Sequence, residues 1–158
     1  MAGFSFIELI VTVVIMGLLA TAAMPMIEIA VQQVHEQELR AALRQIREAI
    51  DAYKQAVKDG KIELEDPDAE SGYPKTLESL ADGVLDASDA EGIRKIYFLR
   101  RIPSDPMFEG PAGTLPAKTW GKRSYASPPE NPQEGNDVFD VYSLSQRKGL
   151  NGIPYNAW

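Results

Sequence analysis

Apolar and polar positions fall into two regimes along this chain, and one follows the other without a break. From Leu9 to Ile27 there are 19 consecutive uncharged residues, mostly Val, Ile, Leu, Met and Ala, and Glu8 is the only charged side chain before them. As a helix rising ~1.5 Å per residue the run covers about 28 Å, the thickness of a bilayer's hydrocarbon core. Beyond Pro25 the pattern turns amphipathic: Leu39, Leu43, Ile46, Ile50, Tyr53 and Val57 recur at spacings of four and three, with Arg40, Arg44, Arg47, Glu48, Asp51 and Lys54 between them. That period gathers the apolar set on one helix face. With no linker between the regimes, the pattern predicts one continuous helix from Phe6 to Asp59, roughly 80 Å long. It should end at Asp59-Gly60, where glycine can take the left-handed conformation. Gly17 and Pro25 predict a kink or loosened stretch inside it, because proline removes a backbone hydrogen bond and clashes with the preceding turn.

After Gly60 the signals are those of loops, with a short helix predicted from Thr76 to Leu80 and a turn or helix from Asp89 to Phe98. Pro103 to Pro132 is rich in Pro and Gly, with Trp120 and Tyr125 as candidate anchors or short-strand residues. Asp137-Val-Phe-Asp-Val-Tyr-Ser-Leu has the β-branched and aromatic bias of a strand, and Val138 to Leu144 should pair antiparallel with the neighbourhood of Tyr125. The predicted class is α+β. A long N-terminal helix, membrane-spanning in its first half and kinked near Gly17 and Pro25, forms the spine of a small head with loops and a short antiparallel sheet. The segments are 1–3, 4–27, 28–59 as the helix continuing into the head, and 60–158.

Charge narrows the partners. The net charge is −7, and Ile62 to Gly92 holds ten carboxylates against Lys75 alone, which argues against nucleic acid, since phosphate binding needs concentrated Lys and Arg. Arg94, Lys95, Arg100 and Arg101 read as a solvated, charge-balanced surface. The chain has no cysteine, so disulfides, thiolate chemistry and Cys-ligated zinc are excluded. His35 is the only histidine, and no motif builds a triad or a metal site around it. Asp137 and Asp140, three apart in a strand, face opposite sides and make a poor acid/base pair. A secretory signal peptide would want a basic start and a small-residue cleavage site followed by a mature domain; the start here offers only Met-Ala-Gly, and Ala20-Thr21-Ala22-Ala23 is followed by more helix-like sequence.

Glu8 remains to be explained, because a carboxylate in lipid costs a few kcal/mol unless a partner or water relieves it. Gly3-Phe4-Ser5-Phe6-Ile7-Glu8, followed by the apolar run, resembles the class III signal of type IV pilins and type II secretion pseudopilins. The resemblance implies cleavage between Gly3 and Phe4 by a prepilin peptidase and methylation of Phe4. It also makes Glu8 the assembly carboxylate, pairing with the α-ammonium of Phe4 on a neighbouring subunit. Gly17 and Pro25 fall where family members carry a helix-loosening glycine and proline.

Arg101-Ile-Pro-Ser-Asp-Pro, Thr119-Trp-Gly-Lys-Arg-Ser-Tyr, Asp137 to Leu144 and Asn156-Ala-Trp158 are similar to the G-type, or major, pseudopilin. What this implies is a structural subunit and not an enzyme. It would be a single-pass protein of the bacterial inner membrane with its C-terminal head in the periplasm, polymerising into a fibre that drives protein export across the outer membrane. Implied partners are its own copies, minor pseudopilins, the prepilin peptidase, the inner-membrane assembly platform and the bilayer. Residues Phe4 to Val34 would make intersubunit contacts, while Leu39 to Val57 pack on their own head. The alternatives are a type IV pilin for attachment, motility or DNA uptake, and a membrane-anchored periplasmic binding or enzymatic domain. Pilins of the first kind commonly close their C-terminal region with a disulfide, which this chain lacks.

Two departures from the family stand out. Its leaders normally include Lys or Arg, whereas Met1-Ala2-Gly3 has neither; either the true start lies upstream or the leader is atypical. G-type pseudopilins usually bind calcium in the loop after the Tyr-Ser-Leu strand. Here Ser145 to Trp158 contains no carboxylate side chain and two cations, Arg147 and Lys148, whereas calcium wants six to eight oxygen ligands with negative charge among them. The expectation is no cofactor, with the usual calcium site lost and Arg147 or Lys148 bonding loop carbonyls in its place.

Overall fold

The computed structural model describes residues 5–63 and 71–158, and of residues 21–25 the backbone only. The class is α+β: one long helix, α1 (Phe6–Lys58), then a short helix α2 (Glu78–Asp82) and two small antiparallel sheets. One sheet pairs β1 (Val84–Leu85) with β2 (Lys95–Ile96), and the other pairs β3 (Trp120–Arg123) with β4 (Asp140–Ser143). The chain divides into two compact units, 1–35 and 36–158.

The first unit is the beginning of α1. The helix is unbroken at Gly17 and at Pro25, so neither residue ends it; the side chain of Pro25 lies outside the described residues, as do Gly3 and Phe4. The membrane-spanning assignment of 4–27 is not carried by this structure. Among the described residues no helix is long and apolar enough to cross a membrane.

In the second unit the predicted stripe is the core. Leu39, Leu43, Ile46, Ile50 and Tyr53 are buried, Val57 packs at the margin, and Leu77, Leu80, Leu99, Trp120, Val141 and Tyr155 close over them. Ala42, Ala49 and Ala56 are buried beside the stripe at seven-residue intervals, small enough to let the overlying chain approach the helix. The helix ends at Lys58 through a paired set of bonds. Gly60 N–H donates to Val57 O (3.0 Å) and Lys61 N–H to Ala56 O (2.9 Å), a closure that requires the φ of +68° which Gly60 adopts.

The second sheet runs in register Trp120↔Ser143 to Arg123↔Asp140, a few residues before the predicted Tyr125 neighbourhood. Tyr125 instead joins Tyr73 and Phe139 in a three-ring cluster with centroids 5.0 to 5.7 Å apart. Lys54 of α1 lies 3.9 Å above the Tyr73 ring, a cation–π contact that ties helix to loops. Asp89 to Phe98 forms a turn and then β2, with no helix in that segment.

Candidate functional site

In the first unit, Ser5 opens α1, its carbonyl accepting from Glu8 N–H (3.0 Å) and Leu9 N–H (3.2 Å). Glu8 stands in the first turn, where a negative side chain complements the helix dipole. Every described residue from Ser5 to Ala20 is exposed, Phe6 at 78% and Met16 at 70%, and Met26, Ile27, Ile29, Val31 and Val34 repeat the pattern. A helix apolar all round is stable only inside a bilayer or a larger assembly. Gly17 sits in this surface with nothing within 4 Å of the position its Cβ would take, so packing within one copy does not demand glycine there.

In the second unit, the Asp86–Arg94 loop between β1 and β2 shows what becomes of the acidic segment. Asp86 is buried and accepts from the Ser88 hydroxyl, the Ser88 N–H (2.9 Å) and Arg94 Nε (2.8 Å). The Ser88 hydroxyl foremost, then Arg94, hold its carboxyl down at about 2. Asp89 is also held below its usual value, by the backbone N–H groups of Arg94 and Ile93. Arg94 is therefore paired, as a charge-balanced surface requires. A group depressed in the folded state contributes stability that is complete above its unfolded value, about 4, and lost as pH falls through the folded one. In acid titrations followed by circular dichroism, the stability gap between wild type and Asp86→Asn should therefore narrow from about pH 4 to pH 2. A gap constant through that window would remove Asp86 from the acid response.

Asp137 and Asp140 take separate partners. Asp137 is buried; burial pushes its carboxyl up, but bonds from Ser71, Ser124 Oγ (2.7 Å) and Tyr125 N–H (2.9 Å) outweigh this and lower it. Asp140 accepts from Arg47 Nε (2.8 Å) on α1 and Arg123 Nη2 (3.4 Å) on β3. Asp140 thereby forms a charge link between helix and sheet. Arg47 Nη2 goes further, donating to Val141 O (3.1 Å) and to Trp158 O (2.9 Å).

The C-terminal loop is built around a buried carboxylate of α1. Glu36, only 3% exposed, accepts from Leu150 N–H (2.7 Å) and Tyr155 O–H (3.0 Å) at the same oxygen, with Arg40 3.8 Å from the other. Arg40 lies 4.3 Å above the Trp158 ring, and Trp158 packs edge-on against Tyr155. Three loop carbonyls are engaged within the loop: Arg147 O accepts from Tyr155 N–H, Gly149 O from Gly152 N–H, and Ile153 O from Gly149 N–H and Trp158 Nε1. Arg147 reaches Glu109 at 3.8 Å and not the loop carbonyls, which corrects that part of the expectation. Around Glu36 the groups turned inward are an N–H and an O–H, donors where calcium would require oxygen ligands. Among the described residues no group of three or more His, Cys, Asp or Glu gathers that could hold a metal ion.

A groove of about 820 Å³ is lined by Ala49, Ala52, Phe98, Arg100, Arg101 and Pro103 among others. Comparison with protein-family models, curated proteins and solved structures returns no match for this chain.

Proposed function

We propose that this chain is a structural pseudopilin subunit of a type II secretion system, polymerising through its N-terminal helix into a periplasmic fibre that drives protein export across the outer membrane. The observation that carries the reading is the exposed apolar helix surface from Phe6 to Ala20, continued by the exposed Met26, Ile27, Ile29, Val31 and Val34, with Glu8 as the one carboxylate in its first turn. Such a surface needs another apolar phase to cover it. In the proposal that phase is the inner-membrane bilayer before assembly and the helices of neighbouring copies afterwards.

Each part of the opening then has a task. Cleavage after Gly3 frees an α-ammonium at Phe4, which methylation leaves cationic at neutral pH. Glu8 of the copy already in place offers the countercharge, and between apolar helices that pairing is worth far more than in water. Gly17 and Pro25 let the helix adjust as it leaves the bilayer and packs. The absence of cysteine favours this reading over a pilin for attachment, motility or DNA uptake.

The mature N-terminus, read by mass spectrometry on protein recovered from membranes, tests the proposal directly. A chain beginning at N-methylated Phe4 is expected; one beginning after Ala23, as a secretory signal would leave it, would overturn the reading.

A further inference from the structure

We infer that Glu36 is the anchor of the C-terminal loop and does there what a bound cation would otherwise do, so that the head closes without calcium. A cation organises a loop by drawing carbonyl and carboxylate oxygens inward. Here the polarity is inverted: the loop turns the Leu150 N–H and the Tyr155 hydroxyl toward a fixed carboxylate, while the carbonyls of Arg147, Gly149 and Ile153 accept from N–H groups of the loop itself.

The anchor joins residues 114 and 119 positions apart, tying the start of the amphipathic helix to the end of the chain. Bonds to an ionised acceptor are roughly twice as strong as neutral ones, and Glu36 is buried, where an uncompensated carboxylate would be costly. Gly149 completes the seat. A Cβ there would come within 2.5 Å of the Trp158 ring and 3.3 Å of the Glu36 oxygen, so only glycine brings the Leu150 N–H close enough to donate. Arg40 and Arg47 complete the charge environment, the first covering Trp158 and the second holding its carbonyl. A head closed in this way is indifferent to the calcium content of its surroundings. The inference goes beyond the fibre reading and holds for any use of the head.

Hydrogen–deuterium exchange on the full-length protein in detergent micelles tests it, with EDTA, with added calcium chloride, and with Glu36→Ala and Glu36→Gln. Wild-type amides from Arg147 to Trp158 should exchange at one rate with EDTA and with calcium. In Glu36→Ala the same amides should exchange about ten- to a hundredfold faster, while those of Leu43 to Tyr53 keep their protection. Glu36→Gln, whose amide oxygen still accepts without the charge, should fall between the two. Slower wild-type exchange with calcium, or an unchanged loop in Glu36→Ala, would overturn the inference. Should Glu36→Ala fail to fold, Glu36→Gln and the calcium comparison on wild type decide it. Fibre formation is not among these readouts, so a chain that never polymerises leaves the anchor standing, and the reverse holds as well.

Discussion

Glu8→Ala is expected to leave cleavage between Gly3 and Phe4 intact and to stop incorporation into fibres. In the proposed assembly the incoming subunit buries a cationic N-terminus among apolar helices, and the carboxylate is what makes that burial tolerable. Removing one partner of a buried pair leaves the other uncompensated at about 3–5 kcal/mol, a factor of several hundred or more at each docking step. Glu8→Gln should fail in the same way, since it keeps the shape and loses the charge. The measurement pairs mass spectrometry of the N-terminus with sedimentation of fibres sheared from cells. Fibres of normal length and yield from Glu8→Ala would refute the pairing while leaving the apolar surface to be explained by packing alone.

The second large effect lies in the head. Trp120 is 2% exposed and sits at the start of β3, its Nε1 donating to Pro103 O at 2.8 Å. Trp120→Ala should cost about 3–5 kcal/mol from the lost transfer energy and the cavity, with a further penalty for the stranded carbonyl. Set against a total stability of about 5–15 kcal/mol, that is enough to leave a large share of heads unfolded. Trp120→Phe should lose only about 1–3 kcal/mol, because most of the volume remains and one hydrogen bond goes. Urea unfolding of the detergent-solubilised chain, followed by near-ultraviolet circular dichroism, measures both. Equal losses in the two variants would mean that the hydrogen bond, and not the volume, holds this corner of the core.

What the sequence made legible follows from periodicity. The stripe from Leu39 to Tyr53 was readable because burial on one face imposes the 3.6-residue repeat on apolar positions, and Gly60 because only a left-handed residue closes the helix as observed. The i, i+4 spacing pairs Glu36 with Arg40, as observed, and the stripe arithmetic reaches it too: it stands three residues before Leu39 and seven before Leu43, on the buried stripe. A charge at a stripe position signals an anchored partner elsewhere in the chain, but nothing local says which. Leu150 and Tyr155 were unreadable as its partners because bonds across more than a hundred residues leave no spacing to find. The β1–β2 pair was missed for a related reason, since strands of two residues are too short to show alternation. At the N-terminus, Glu8 in the first turn of α1 and the exposed apolar residues that follow it bear the functional reading.

The chain carries two tryptophans, and they lie in contrasting places. Trp120 is sealed in the core, whereas Trp158 is partly open to solvent beneath Arg40. Their fluorescence is therefore separable, with acrylamide reaching Trp158 long before Trp120 and each indole emitting at its own wavelength. Detachment of the loop and collapse of the core become two distinct optical events in an unlabelled protein.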